Sequence, residues 1–73
     1  MTLKEFMDMD FGGIHEYEVS VFEGSDVIKY YGEEINDEEL QSKEVFGYGI
    51  TLGEREHAGL RSVVVICTVA VKQ

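Results

Sequence analysis

The chain contains no proline, one cysteine and only six lysines and arginines against fifteen aspartates and glutamates, in 73 residues. With proline absent, eight glycines are left to punctuate it. The single thiol, Cys67, excludes an internal disulfide, and it sits in an apolar run where a free cysteine behaves as a small hydrophobe. That usage fits a reducing cytoplasm better than a disulfide-stapled secreted module. Six scattered bases cannot offset the acids, so direct nucleic-acid binding is disfavoured. The longest apolar run, residues 63–71, is about half of the ~20 residues that a membrane-spanning helix needs. Glu5 and Asp8 stand where a secretory signal requires an apolar stretch. The expectation is a soluble, cytoplasmic protein with no membrane partner.

What is present begins with the distribution of charge. Residues 1–44 hold thirteen acids and three bases, a net −10, while residues 45–73 hold two acids and three bases, a net +1. Such a concentrated field is costly in self-repulsion and makes a basic partner the first thing to look for. A hydrophobic content of 44% with eight aromatics is enough for one small globular domain over residues 1–73, rather than a disordered chain. A core of this size supplies only ~3–5 kcal/mol of net stability, and small scaffolds usually add disulfides, a metal or a partner subunit. Self-association, most simply as a homodimer, is therefore a reasonable expectation.

Periodicity sorts the chain into elements. Thr2 and Glu5 have the spacing of a capping box, and Leu3, Phe6 and Met7 fall on one side, which predicts a short helix ended by Gly12 and Gly13. Residues 14–22 alternate, with Tyr17, Val19 and Val21 pointing one way and Glu16, Glu18 and Ser20 the other. A turn at Glu23, Gly24, Ser25 and Asp26 then returns the chain as a strand over residues 27–31. Asn36 and Glu39 repeat the capping-box spacing, so a turn or two of helix near residue 43, anchored by Ile35 and Leu40, is expected. Residues 45–52 alternate again, with Phe46, Tyr48, Ile50 and Leu52 on one face and Val45, Gly47, Gly49 and Thr51 on the other. The two glycines suggest a bulge. Residues 53–59 read as a charged loop, and residues 60–72 as the strongest strand, apolar on both faces and so expected to be buried on both. The fold class is α+β, mainly β: a small antiparallel sheet of about four strands with one or two short helices. Its last strand lies inside, beside the first and the third.

Acids Asp8, Asp10, Glu16, Glu18, Glu23, Asp26, Glu33, Glu34, Asp37, Glu38, Glu39 and Glu44 form the main constellation. Glu16 and Glu18 on one strand face stand about 6.6 Å apart, close to two steps of the ~3.4 Å rise of a single DNA strand. An array with this spacing fits a groove lined by lysine and arginine that normally holds a phosphate backbone. The bland reading, a solvated surface that keeps a small protein soluble, weighs about equally. Tyr30 and Tyr31 are adjacent on a strand and must face opposite ways, which makes the outer face of the second strand the best contact surface. His15, His57 and Cys67 are not spaced as metal ligands, and the acidic run 36–39 lacks a calcium loop. No nucleophile has a base in context, so neither a catalytic residue nor a cofactor is expected.

A profile that is tiny, proline-free, strongly acidic and single-cysteine resembles that of small inhibitors encoded by phages and mobile elements, among them anti-CRISPR proteins, uracil-glycosylase inhibitors and nuclease immunity proteins. The resemblance is one of size and composition, without a shared motif. It implies a non-enzymatic module, active in the bacterial host cytoplasm if phage-encoded, that covers the basic surface of a nucleic-acid-handling protein through Glu16, Glu18, Glu23, Asp26, Tyr30, Tyr31, Glu33, Glu34, Asp37, Glu38 and Glu39. The alternative is a structural module, a homodimer whose acids serve solubility.

Overall fold

Valine-rich alternation and short glycine turns give a four-stranded mixed sheet with two short α-helices, an α+β fold that is mainly β. The computed structural model describes residues 1–9 and 11–73; Asp10, one of the acids named above, lies outside the described residues. The elements are α1 (Leu3–Asp8), β1 (Glu16–Glu23), β2 (Asp26–Tyr31), a 3-10 turn (Gly32–Asn36), α2 (Glu38–Gln41), β3 (Val45–His57) and β4 (Leu60–Lys72). Strand order is β2-β1-β4-β3, with β4 parallel to β1 and antiparallel to β3. The expected central place of the last strand is thus observed.

Register decides which side chains share a face. Val19 and Val21 of β1 align with Val69 and Val71 of β4. Together with Cys67 they form the sheet's half of the core. Leu3 and Phe6 of α1, Ile35 of the 3-10 turn and Leu40 of α2 supply the other half. The helices therefore cover one face. The opposite, open face carries Glu16, Glu18, Ser20 and Phe22 of β1 and Ile66, Thr68 and Ala70 of β4. Half-burial of those β4 residues corrects the expectation that the strand is buried on both sides. No second layer covers them, and their shelter comes only from neighbours within the sheet.

Side-chain caps fix the helices. Thr2 accepts from the Glu5 N–H at 3.2 Å, and the Glu5 carboxylate accepts from the Thr2 N–H at 3.0 Å, completing the expected box. Those bonds from Thr2, backbone first and hydroxyl second, hold the Glu5 carboxyl below its ordinary pKa. The cap's contribution is accordingly present above the carboxylate's unfolded value and lost as pH falls through the folded one. At α2 the capping residue is Asp37 and not Asn36, because Gly32–Asn36 is itself wound as the 3-10 turn. The Asp37 carboxylate accepts from the Leu40 N–H at 3.0 Å. Asp37→Ala is expected to cost about 1 kcal/mol, read as a lower urea midpoint at unchanged m-value.

Two further corrections concern β3. Residues 53–57 are not a loop: the strand continues to His57, which pairs with Leu60 across a two-residue turn of Ala58 and Gly59 with φ of 53° and 78°. Positive φ at both central positions matches the twist of a tight hairpin, so no longer connection is needed. The register also shifts between Val45 and Gly47, the bulge suggested by the glycines. Its consequence was not foreseen. Val45 packs on the core, while Phe46 lies against Phe22 of the open face (ring centroids 5.4 Å apart) and not in a row with Tyr48.

Candidate interaction surface

The described acids differ in what their carboxylates touch. Glu16 and Glu18 do point the same way, onto the open face, but both are neutralised. Arg55 of β3 reaches across β4 to Glu16 at 2.6 Å, and Lys29 of β2 meets Glu18 at 3.1 Å. The Glu18 carboxylate raises the Lys29 pKa, so this pair stabilises the fold below the ordinary lysine value and is lost as pH rises through the raised one. Gly53 makes the reach of Arg55 possible: a Cβ there would stand 2.7 Å from the Ile66 Cδ1 and 3.4 Å from the Arg55 Nη1. No local spacing could have signalled a pair 39 residues apart.

Glu34 and Asp37 are likewise structural. Glu34 accepts from the Tyr31 N–H at 3.2 Å, and Asp37 caps α2. Glu44 bonds the amino group of Met1 at 2.5 Å. That leaves Asp8, Glu23, Asp26, Glu33, Glu38 and Glu39 without an ion-pair partner among the described residues. Glu23 and Asp26 are directly opposite each other across the β1–β2 turn. Like charges in that position destabilise a hairpin, so this turn carries a repulsion that the fold does not relieve.

The acidic surface is therefore split. Glu23 and Asp26 lie at one end of β2 and Glu33 just past the other, about 17 Å away along a six-residue strand. Glu38 and Glu39 follow in the first turn of α2. These five follow one another from the end of β1 to α2; Asp8 of α1 and Glu54 of β3 are unpaired among the described residues as well. Between the two acidic ends, Tyr31 is exposed on the open face beside Lys29, while Tyr30 packs against the core. Tyr31 is thus the aromatic group available on the outer strand.

Concavities elsewhere are shallow. One of them, a groove of about 710 Å³ between α1 and α2, is lined by Lys4, Met7, Asp8, Glu38 and Gln41 among others. Gln41 spans its floor, donating to the Ile35 carbonyl at 2.6 Å. Among the described residues no three histidine, cysteine, aspartate or glutamate side chains are grouped to hold a metal ion. Cys67 is buried, and desolvation raises its thiol pKa, the reverse of what an activated nucleophile requires. No described helix is long and apolar enough to cross a membrane. Comparison with known proteins brings no relative beside this chain: no family model matches it, and neither does any curated protein or solved structure.

Proposed function

We propose that this chain is a non-enzymatic, acidic interaction module that inhibits a nucleic-acid-binding protein by occupying its basic surface, in the manner of the small inhibitors that phages and mobile elements encode. The observation that supports it is the segregation of uncompensated carboxylates. Glu23, Asp26, Glu33, Glu38 and Glu39 follow one another from the β1–β2 turn to α2 with no ion-pair partner among the described residues, while Glu16, Glu18, Glu34 and Asp37 are paired or capping. Acids kept only for solubility have no reason to include a directly opposed pair such as Glu23 and Asp26. Tyr31, exposed between the two acidic ends, supplies the amphipathic anchor that interfaces favour. Encounter with a basic surface would be electrostatically steered and weakened by salt.

The test begins with capture of partners from a bacterial lysate and elution in a salt gradient. For a partner so obtained, reversing Glu33, Glu38 and Glu39 together to lysine is expected to weaken binding at least ~10-fold and to flatten its salt dependence. Reversing Glu16 and Glu18 instead is expected to act chiefly on stability, because it sets lysines against Arg55 and Lys29. Affinity and salt slope unchanged by the triple reversal would leave the acids to solubility, and the structural, oligomer-forming reading would take its place.

A further inference from the structure

The sheet has two edges of different character. β2 is six residues long, with Asp26 facing Glu23 at one end and Glu33 just past the other. β3 is thirteen residues long and carries an apolar row, Tyr48, Ile50 and Leu52, on the side that the helices cover elsewhere. That row is 62%, 53% and 72% exposed, and Val63 beside it on β4 is 62% exposed. Behind it runs a groove of about 310 Å³ over Val65, with Phe11 and Ile14 on its other wall. At Val45 the edge is taken, its N–H donating to the Met1 carbonyl at 2.8 Å, but beyond it the strand is apolar and uncovered among the described residues, and such an edge is the part of a sheet that pairs with another strand.

We propose that β3 pairs antiparallel with β3 of a second copy of this chain, about a two-fold axis near Thr51, joining two four-stranded sheets into one of eight. Charge selects this partner and this edge. Strands lie ~4.8 Å apart, so the two β2 strands would stand seven spacings, roughly 34 Å, from each other. This is about four times the ~8 Å screening length at physiological ionic strength. The opposed Glu23 and Asp26 of the two chains thus do not feel one another across this interface, whereas pairing through β2 would press them together.

Register agrees with the choice, and area sets the strength to expect. With the axis at Thr51, Ile50 faces Leu52 of the second copy, Glu54 faces Tyr48 and Arg55 faces Gly47, so no like charges are opposed. An axis moved to Arg55 would set the two Arg55 side chains against each other and Glu54 against Glu56. Taking ~200 Å² for an aromatic and somewhat less for an aliphatic side chain, Tyr48, Ile50 and Leu52 leave roughly 350 Å² open per copy beside the partner's row. With the strand edge added, the area stays below the ~800 Å² per partner of a standard interface, as suits a dimer that forms with concentration.

Sizing of the purified chain by sedimentation tests the proposal with no other protein present, so its outcome is independent of the inhibitory reading. A concentration-dependent dimer is expected. Leu52→Lys is expected to raise its dissociation constant at least ~10-fold with the circular dichroism of a folded chain, since Leu52 is mostly exposed. Thr51→Cys puts two thiols ~4.5–5.5 Å apart at their Cα atoms and is expected to yield a covalent dimer on mild oxidation, without competition from buried Cys67. A monomer at high micromolar concentration overturns the proposal. A dimer that survives Leu52→Lys unchanged, or one in which Thr51→Cys does not cross-link, overturns it equally by placing the contact elsewhere.

Discussion

Phe6→Ala is expected to leave most of the chain unfolded at 37 °C, read as loss of the far-ultraviolet β signal and of dispersed amide resonances. Phe6 is 3% exposed and is one of the two buried residues of α1. Its ring lies 5.3 Å from Phe11 and 5.2 Å from Tyr48, centroid to centroid, so it joins the helix to both the glycine-ended segment and β3. Truncating a buried phenylalanine costs ~3–5 kcal/mol, and that is the whole net stability, ~3–5 kcal/mol, of a domain this small. Phe22→Ala serves as the control. Its ring is 41% exposed and pairs with Phe46 on the open face, so a loss below ~1.5 kcal/mol is expected. If Phe6→Ala melts cooperatively within a few degrees of the parent chain, α1 is not part of the core described above.

The second large effect is on Cys67. In the folded chain its alkylation is expected to be slower than in denaturant by about a hundredfold to a few thousandfold, the ratio set by ~3–5 kcal/mol at 1.4 kcal/mol per decade. Cys67 has no exposed surface and is held between α1 and the valines of β1 and β4, so reagent reaches it only when the sheet opens. Burial also raises the thiol pKa. Above the free thiol's value near 8.5 the unfolded chain gives up its proton while the folded chain retains it, so stability falls as pH rises through that window. Protection should therefore shrink in alkaline buffer, and the Phe6→Ala variant should show almost none. Alkylation at the denatured rate in the parent chain would mean that β4 leaves the core without global unfolding.

How far these features were legible in the sequence depends on the range of the interactions behind them. β4 could be placed inside the sheet because Val64, Ile66 and Ala70 are apolar opposite Val65, Cys67 and Val69, a pattern an edge strand has no use for. Thr2 and Glu5 announced α1 because both partners of the cap lie within one turn. Residues 53–57 read as a loop because Glu54, Arg55 and Glu56 show no alternation. They extend as a strand only because Leu60 to Val64 run back beside them, through a turn whose Ala58 at φ 53° gives no glycine or asparagine signal. The acids were visible as a number and not as roles. Nothing local distinguishes Glu16, held by a base 39 residues away, from Glu33, which has none among the described residues.

The order of the strands in space differs from their order in the chain. β4 lies between β1 and β3, yet it follows all of them, and β1 meets it at a separation of 50 residues, Glu16 against Ile66. During synthesis Leu3, Phe6, Val19 and Val21 leave the ribosome well before the strand they pack against. For that interval the nascent chain exposes its apolar residues and is also at its most negative, since all but two of the acids precede β3. Chains that come into contact in that interval meet with like charge, which opposes the association their uncovered valines would otherwise drive.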